Sequence, residues 1–256
     1  MKLDFAIVGV QKAATTALAR YLDQHPLICL PPSKETHFFR RSFSCGKAEP
    51  RDEAHLNRHF SHCPKRAFVG DATPIYSYWP FSLELLAKHS PRVRCILVLR
   101  DPVLRAFSAW NMEVARGRER LSFSSAIRQG RRRVAQSPLG VHKVYSYVER
   151  GFYLGQIERL FHLFTENQIF ILRSDAVRHD SLVLAALTQF LELPDFNYQS
   201  IKEHLAPGAI GRQPENIDDF VYLHDLYRAD LQALEPLIPF SIRDWIEDPS
   251  WAPGRI

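Results

Sequence analysis

The sequence predicts an α/β fold: a single domain with a central parallel sheet flanked by helices. Apolar strand-like runs alternate along the chain with helix-like segments. The strongest run, Arg94 to Leu99, is apolar almost throughout, as befits a strand covered on both faces. The 256 residues suit one large α/β domain and are enough to bury a sizeable core.

The elements follow in order. Leu3 to Val8 reads as a short buried strand closed by Gly9. A helix follows over about Thr15 to Gln24, with Leu18, Tyr21 and Leu22 at helical spacing, and His25-Pro26 ends it. Ile28 to Leu30 is a brief strand stopped by Pro31-Pro32. Ala67 to Val69 is a third, running into Gly70-Asp71. Arg94 to Leu99 leads into Arg100-Asp101-Pro102, and that proline suits a first helical position. Phe107, Trp110 and Val114 give the resulting helix an apolar stripe. A further helix is expected over Tyr145 to Phe164, a strand over Ile169 to Leu172, and a helix over Leu182 to Leu191. A loop rich in Pro and Gly spans about Pro194 to Pro214, and a helix over Ile217 to Leu234 closes the fold. No internal repeat or linker marks a second domain, so residues 1–256 read as one.

Composition narrows the function. Hydrophobic residues at 46% and charged residues at 24% exclude a disordered chain. The net charge of +5 suits an anionic ligand, and no basic tail suggests nucleic acid. Cys29, Cys45, Cys63 and Cys95 form no CxxC pair and no legible disulfide framework, which points to reduced thiols and a cytoplasmic protein. Strand-like sequence begins almost at Met1, leaving no room for a signal peptide, and no apolar run is long enough to span a bilayer.

The first strand runs into Gly9-Val10-Gln11-Lys12-Ala13-Ala14-Thr15-Thr16 and then a helix. Such a strand–loop–helix offers backbone N–H groups and a helix dipole to an anion. Lys12 adds a full charge, and the threonines add hydroxyl donors. A plain strand-to-helix turn is the competing reading, since threonines also start helices well. The loop fails the kinase pattern. Ala14-Thr15-Thr16 stand where a Walker loop needs Gly-Lys-Ser/Thr, and the lysine falls two residues before Ala14.

Phe5 to Leu18 is similar to the 5'-phosphosulfate loop of sulfotransferases that use PAPS (3'-phosphoadenosine-5'-phosphosulfate), in a P-loop-like fold. The chain most resembles the heparan sulfate N- and 3-O-sulfotransferases and their bacterial relatives. That branch carries Lys-Glu-x-x-Phe-Phe, here Lys34-Glu35-Thr36-His37-Phe38-Phe39. It carries a Glu-x-Ser/Thr-Pro-x-Tyr-like segment, here Asp71-Ala72-Thr73-Pro74-Ile75-Tyr76. It also carries Leu-Arg-Asp/Asn-Pro-x-x-Arg-Ala-x-Ser, here Leu99 to Ser108. Gly151-Phe152-Tyr153 and Gly211-Arg212 are weaker matches.

The resemblance implies roles. Gln11, Lys12, Ala13, Ala14, Thr15, Thr16 and Ala17 would hold the 5' end of PAPS, with Lys12 also steadying the leaving phosphate. Glu35 would be the general base, with His37 as its rival. Arg100, Ser108, Gly211 and Arg212 would hold the 3'-phosphate. Asp71, Tyr76 and Tyr153 would face the acceptor, although Asp71 replaces the usual glutamate. The reaction would release PAP and require no metal. The acceptor would be a hydroxylated molecule, with anionic glycans and lipids among the candidates.

Other readings compete. A P-loop-like nucleotide or small-molecule kinase is disfavoured by the missing Gly-Lys-Ser/Thr. A non-catalytic anion-binding protein is disfavoured by the presence of both Lys12 and Glu35. His55, His59, His62 and Cys63 have helical spacing suited to zinc, but no second ligand pair follows, so no metal site is assigned. The arginines at 116, 118, 120, 128, 131, 132 and 133 read either as a solvated face or as a lip for an anionic acceptor.

Overall fold

A computed structural model describes residues 1–40, 43–44, 47–48, 52–179, 181–201 and 216–251. The elements run β1 (Phe5–Gly9), α1 (Thr15–Leu22), β2 (Ile28–Cys29), β3 (Phe43–Ser44), β4 (Lys47–Ala48), α2 (Glu53–His59), β5 (Phe68–Asp71), α3 (Ser82–His89) and β6 (Arg94–Leu99). They continue with α4 (Pro102–Ala115), α5 (Phe123–Arg128), α6 (Gly130–Ala135), α7 (Leu154–Leu163), β7 (Ile169–Arg173), α8 (Ala176–His179), α9 (Ser181–Phe190), α10 (Asp218–Leu234) and α11 (Arg243–Ile246). Residues 1–99 with 158–203 form one compact unit, and 100–157 with 204–256 form another.

The first unit holds a five-stranded sheet in the order β2-β5-β1-β6-β7, with every pairing parallel. The expected α/β architecture is present, and β6 spans the residues expected of it. β1 is buried along its whole length, as a central strand with both faces covered must be. Its Phe5 lies opposite Gly70 of β5, where a Cβ would sit 2.1 Å from the Phe5 ring, so only glycine fits. Helix α1 turns Leu18, Ala19 and Leu22 into the core, and α3 does the same with Leu83 and Leu86. Burying each such leucine contributes roughly 1.5–3 kcal/mol.

In the second unit, Asp101 caps α4 by accepting from Val103 N at 2.8 Å and Leu104 N at 3.1 Å. Phe107, Trp110, Phe123 and Phe220 pack ring on ring beside it.

Several expectations are corrected. Tyr145 to Phe164 is not one helix: a 3-10 turn covers Glu149–Gly151, and α7 starts only at Leu154. Gly151 packs so closely on Tyr227 that a Cβ would lie 2.6 Å from the ring, and Tyr227 donates its hydroxyl to Val148 O at 2.8 Å. This long-range contact takes precedence over the local helical pattern. Helices α2, α3, α5 and α6 are present besides those the sequence predicts. Cys29 and Cys63 form a disulfide across a separation of 34 residues, contrary to the reading of reduced thiols. β2 pairs with β5 through Ile28 and Phe68, and that pairing brings both cysteines to one edge of the sheet. Cys95 is a buried free thiol. Among the described residues no helix is long and apolar enough to cross a membrane.

Candidate active site

The loop after β1 is built for close packing. A Cβ on Gly9 would lie 2.4 Å from Ser77 Oγ and 2.6 Å from Leu97 Cδ1. Val10 N donates to Val98 O at 2.8 Å, which fastens the loop to β6. Lys12 and Ala14 take left-handed backbone conformations, with φ of 75° and 59°. Each costs a non-glycine residue about 1–2 kcal/mol, and such outliers concentrate where a ligand is held. Ala14 supplies no side-chain cap to α1. The N–H groups of its first turn, from Thr15 onward, can therefore face an anion. Gln11 and Lys12 are half-buried, Ala13 and Thr15 are buried, and Thr16 is exposed.

The second segment, Lys34 to Phe39, follows β2. Glu35 Oε1 lies 3.2 Å from Lys34 Nζ, and Oε2 lies 3.3 Å from His37 Nε2. The structure thus brings the two rival bases into one contact. What holds them is Asp71, at the end of β5 and fully buried. Its Oδ1 accepts from Thr36 N at 3.1 Å and Thr73 Oγ1 at 2.8 Å. Its Oδ2 accepts from Thr36 Oγ1 at 2.7 Å and Tyr76 OH at 2.8 Å. Thr36 lies between Glu35 and His37, so the carboxylate grips the backbone between them. Thr73 Oγ1 also accepts from His37 N at 3.3 Å, and Tyr76 OH accepts from Phe39 N at 3.3 Å. Burial pushes the Asp71 carboxyl up, and these hydrogen bonds push it back toward the charged form. Burial, together with the Asp71 charge, keeps the Tyr76 phenol protonated.

One stretch of chain serves both segments. Asp71 holds Thr36, while Ser77 N donates to Val8 O at 2.9 Å and Ser77 packs against Gly9. The carboxyl ends of β1, β2 and β5 thereby carry Lys12, Glu35 and Asp71, at the rim where such sheets bind ligands. Asp71 and Tyr76, expected to face the acceptor, are buried and hydrogen-bonded to each other, and in this arrangement they support the Glu35 segment. Thr36 and Thr73, which lie inside the Lys34 to Phe39 and Asp71 to Tyr76 motifs, join the site through their bonds to Asp71, a role the sequence does not predict.

In the second unit, Arg100 directly follows β6 and its carbonyl accepts from Tyr153 OH at 2.8 Å. Tyr153, expected to face the acceptor, is wholly buried, with its hydroxyl engaged by that carbonyl. Ser108 sits half-buried on α4, two turns in. Arg105 is buried and donates to Tyr147 O. Gly211 and Arg212 lie outside the described residues. A cavity of about 660 Å³ is lined by Leu121, Arg128, Gln129, Arg132, Arg133 and Gln136, within the arginine stretch.

No family profile matches the chain. A solved sulfotransferase from Alicyclobacillus acidocaldarius superposes with a TM-score of 0.80 at 28% identity, covering 96% of this chain and 99% of the other. In sequence and in fold the chain is similar to sulfotransferases. Human heparan sulfate glucosamine 3-O-sulfotransferase 5 is 25% identical over 189 residues, 73% of this chain and 53% of that protein. The membrane-associated sulfotransferase kil1 of Dictyostelium discoideum is 29% identical over 111 residues, 43% of this chain and 23% of that protein. The chain therefore spans about half or less of the length of these last two sulfotransferases. The parallel sheet with flanking helices matches the fold of that solved sulfotransferase.

Proposed function

We propose that the protein transfers a sulfuryl group from PAPS to an acceptor hydroxyl and releases PAP. The observation that carries this reading is the Asp71 grip on Thr36, which holds Glu35 and His37 at the same strand ends as the Lys12 loop. Lys12 and the first-turn N–H groups of α1 take the 5' phosphosulfate. Negative charge grows on the bridging oxygen as its bond to sulfur breaks, so the Lys12 ammonium there stabilises the transition state more than the ground state. Glu35 accepts the acceptor's proton as the oxygen attacks sulfur, and His37 orients that carboxylate through its 3.3 Å contact. Sulfuryl transfer resembles loose phosphoryl transfer, in which positioning and charge stabilisation dominate. Arg100 and Ser108 take the 3'-phosphate; a guanidinium fork suits its oxygens. The acceptor is a hydroxylated glycan, lipid or metabolite.

Binding to the folded state raises thermal stability by mass action. PAP is expected to raise the melting temperature, whereas ATP and AMP have little effect. A shift with ATP and none with PAP would point to a kinase instead.

A further inference from the structure

Cys29, His62 and Cys63 form a cluster that plays no part in the transfer chemistry. Cys29 ends β2 and is buried, whereas Cys63 lies in the turn after α2 and is half-exposed. His62 Nε2 lies 3.4 Å from Cys29 Sγ and 3.9 Å from Cys63 Sγ. We propose that reduction of the Cys29–Cys63 disulfide opens a Cys2His site for a thiophilic divalent cation, with Zn²⁺ the natural occupant.

The geometry supports this. Zinc binds thiolate sulfur at about 2.3 Å and imidazole nitrogen at about 2.0 Å, so a tetrahedral site has an N···S edge near 3.5 Å and an S···S edge near 3.8 Å. The two N···S separations already bracket the first value. Only the sulfurs must part, and cleaving their bond permits it. The half-exposed Cys63 can make that movement. Three protein ligands leave the fourth position to water, the arrangement of an open zinc site. His55 and His59, which the sequence placed with His62 and Cys63, instead meet each other edge to face, with ring centroids 5.1 Å apart. The ligand set is thus drawn from the strand end and the turn after α2.

The imidazole has a place in both states. His62 Nε2 lies 3.2 Å from Leu30 O. In the disulfide form the ring donates Nε2–H to that carbonyl. In the metal form the proton resides on Nδ1, and bare Nε2 faces the cation. The reduction balances as a thiol–disulfide exchange. A dithiol supplies two electrons and two protons, becoming a disulfide, and the protein gains two thiols. Binding the cation then releases both thiol protons. Leu30 begins the stretch that leads to Glu35, so the redox state is set at the root of that segment. The inference does not depend on the proposed transfer reaction.

The test uses the full chain, reduced with a phosphine that does not compete for metal, and titrated with Co²⁺ followed by Zn²⁺. Reduced wild type is expected to develop a strong thiolate-to-cobalt charge-transfer band that Zn²⁺ bleaches at one equivalent. The disulfide form is expected to show none. His62→Ala keeps both cysteines, and thermal unfolding of the reduced variant verifies that it is folded; it should weaken metal binding about 10-fold or more, since even an outer partner of a ligand is worth that. Cys63→Ser should lose most of the band, and thermal unfolding verifies that it is folded. The proposal is overturned if reduced wild type shows no band, if the disulfide resists reduction in the folded chain, or if His62→Ala binds metal as tightly as wild type.

Discussion

Asp71 in the first unit and the arginine stretch in the second handle charge in opposite ways. Asp71 is fully buried and forms no salt bridge among the described residues; neutral hydroxyls and one backbone N–H surround it. The arginines are mostly matched with acids. Arg116 and Arg118 meet Glu113, Arg128 meets Asp219, Arg131 meets Glu149, and Arg133 grips Glu119 through both oxygens. Fixed neutral donors around a buried carboxylate define direction, and so they hold a backbone segment in one geometry. In these pairs Glu113, Glu119 and Asp219 are buried while the guanidinium ends stay partly exposed, so solvent screens the pairs from the arginine side and holds the arginines less tightly. In the proposed transfer the demanding geometry therefore rests on the Asp71 region. The arginines supply mainly field, and less of it than their number suggests.

The largest expected effect lies at the residue the Asp71 region supports. Glu35→Gln keeps the shape and removes the proposed base, so turnover should fall roughly 10²-fold or more while PAP affinity holds. Steady-state kinetics beside calorimetry measure both. If His37→Ala abolished turnover and Glu35→Gln spared it, the roles would be reversed.

Asp71→Asn tests the clamp itself. An amide can keep Thr36 N as a donor partner, but its NH2 then faces the hydroxyls of Thr36 and Tyr76. The expected loss is about 1–3 kcal/mol of stability, with kcat reduced more than KM. Unchanged denaturation and unchanged kcat would mean that the segment holds itself.

Glu119 sharpens the contrast through pH. Burial alone would raise its carboxyl, but hydrogen bonds from Arg133 and from Leu121 and Arg120 N outweigh that and hold it below the usual range. A depressed carboxylate contributes stability above the unfolded value of about 4.3, and that stability is lost as pH falls through the lower folded value. Glu119→Gln should flatten this acid limb in unfolding measured from about pH 5 downward. Superimposable limbs would show that the pair contributes nothing.

The smallest effect is expected at Arg132, which has no acidic partner among the described residues and lines the arginine cavity. Arg132→Ala should change stability by less than about 0.5 kcal/mol. An anionic acceptor should show a raised KM in this variant, and a neutral acceptor should not.

Much of this was legible in the sequence, for local reasons. β1 and β6 announce themselves as apolar runs, and the proline at 102 marks where α4 begins. Lys12, Glu35 and Asp71 each follow such a run. Features made by pairing across the chain were hidden. Cys29 meets Cys63 only because β2 lies beside β5. Gly151 interrupts a helical pattern only because Tyr227 packs against it. Asp71 looked like an acceptor contact because its spacing cannot reveal burial, and Thr36 and Thr73 gain meaning only once they surround it.

The central claim is that this chain moves sulfuryl from PAPS with Glu35 as the base. The most direct measurement is transfer of label from sulfur-labelled PAPS to a panel of glycans, lipids and hydroxylated metabolites, with wild type and Glu35→Gln side by side. The account predicts a labelled product and stoichiometric PAP from wild type, and roughly 10²-fold less product from Glu35→Gln at saturating PAPS. Equal transfer by both proteins would contradict the base assignment, and consumption of ATP without any use of PAPS would contradict the reaction itself.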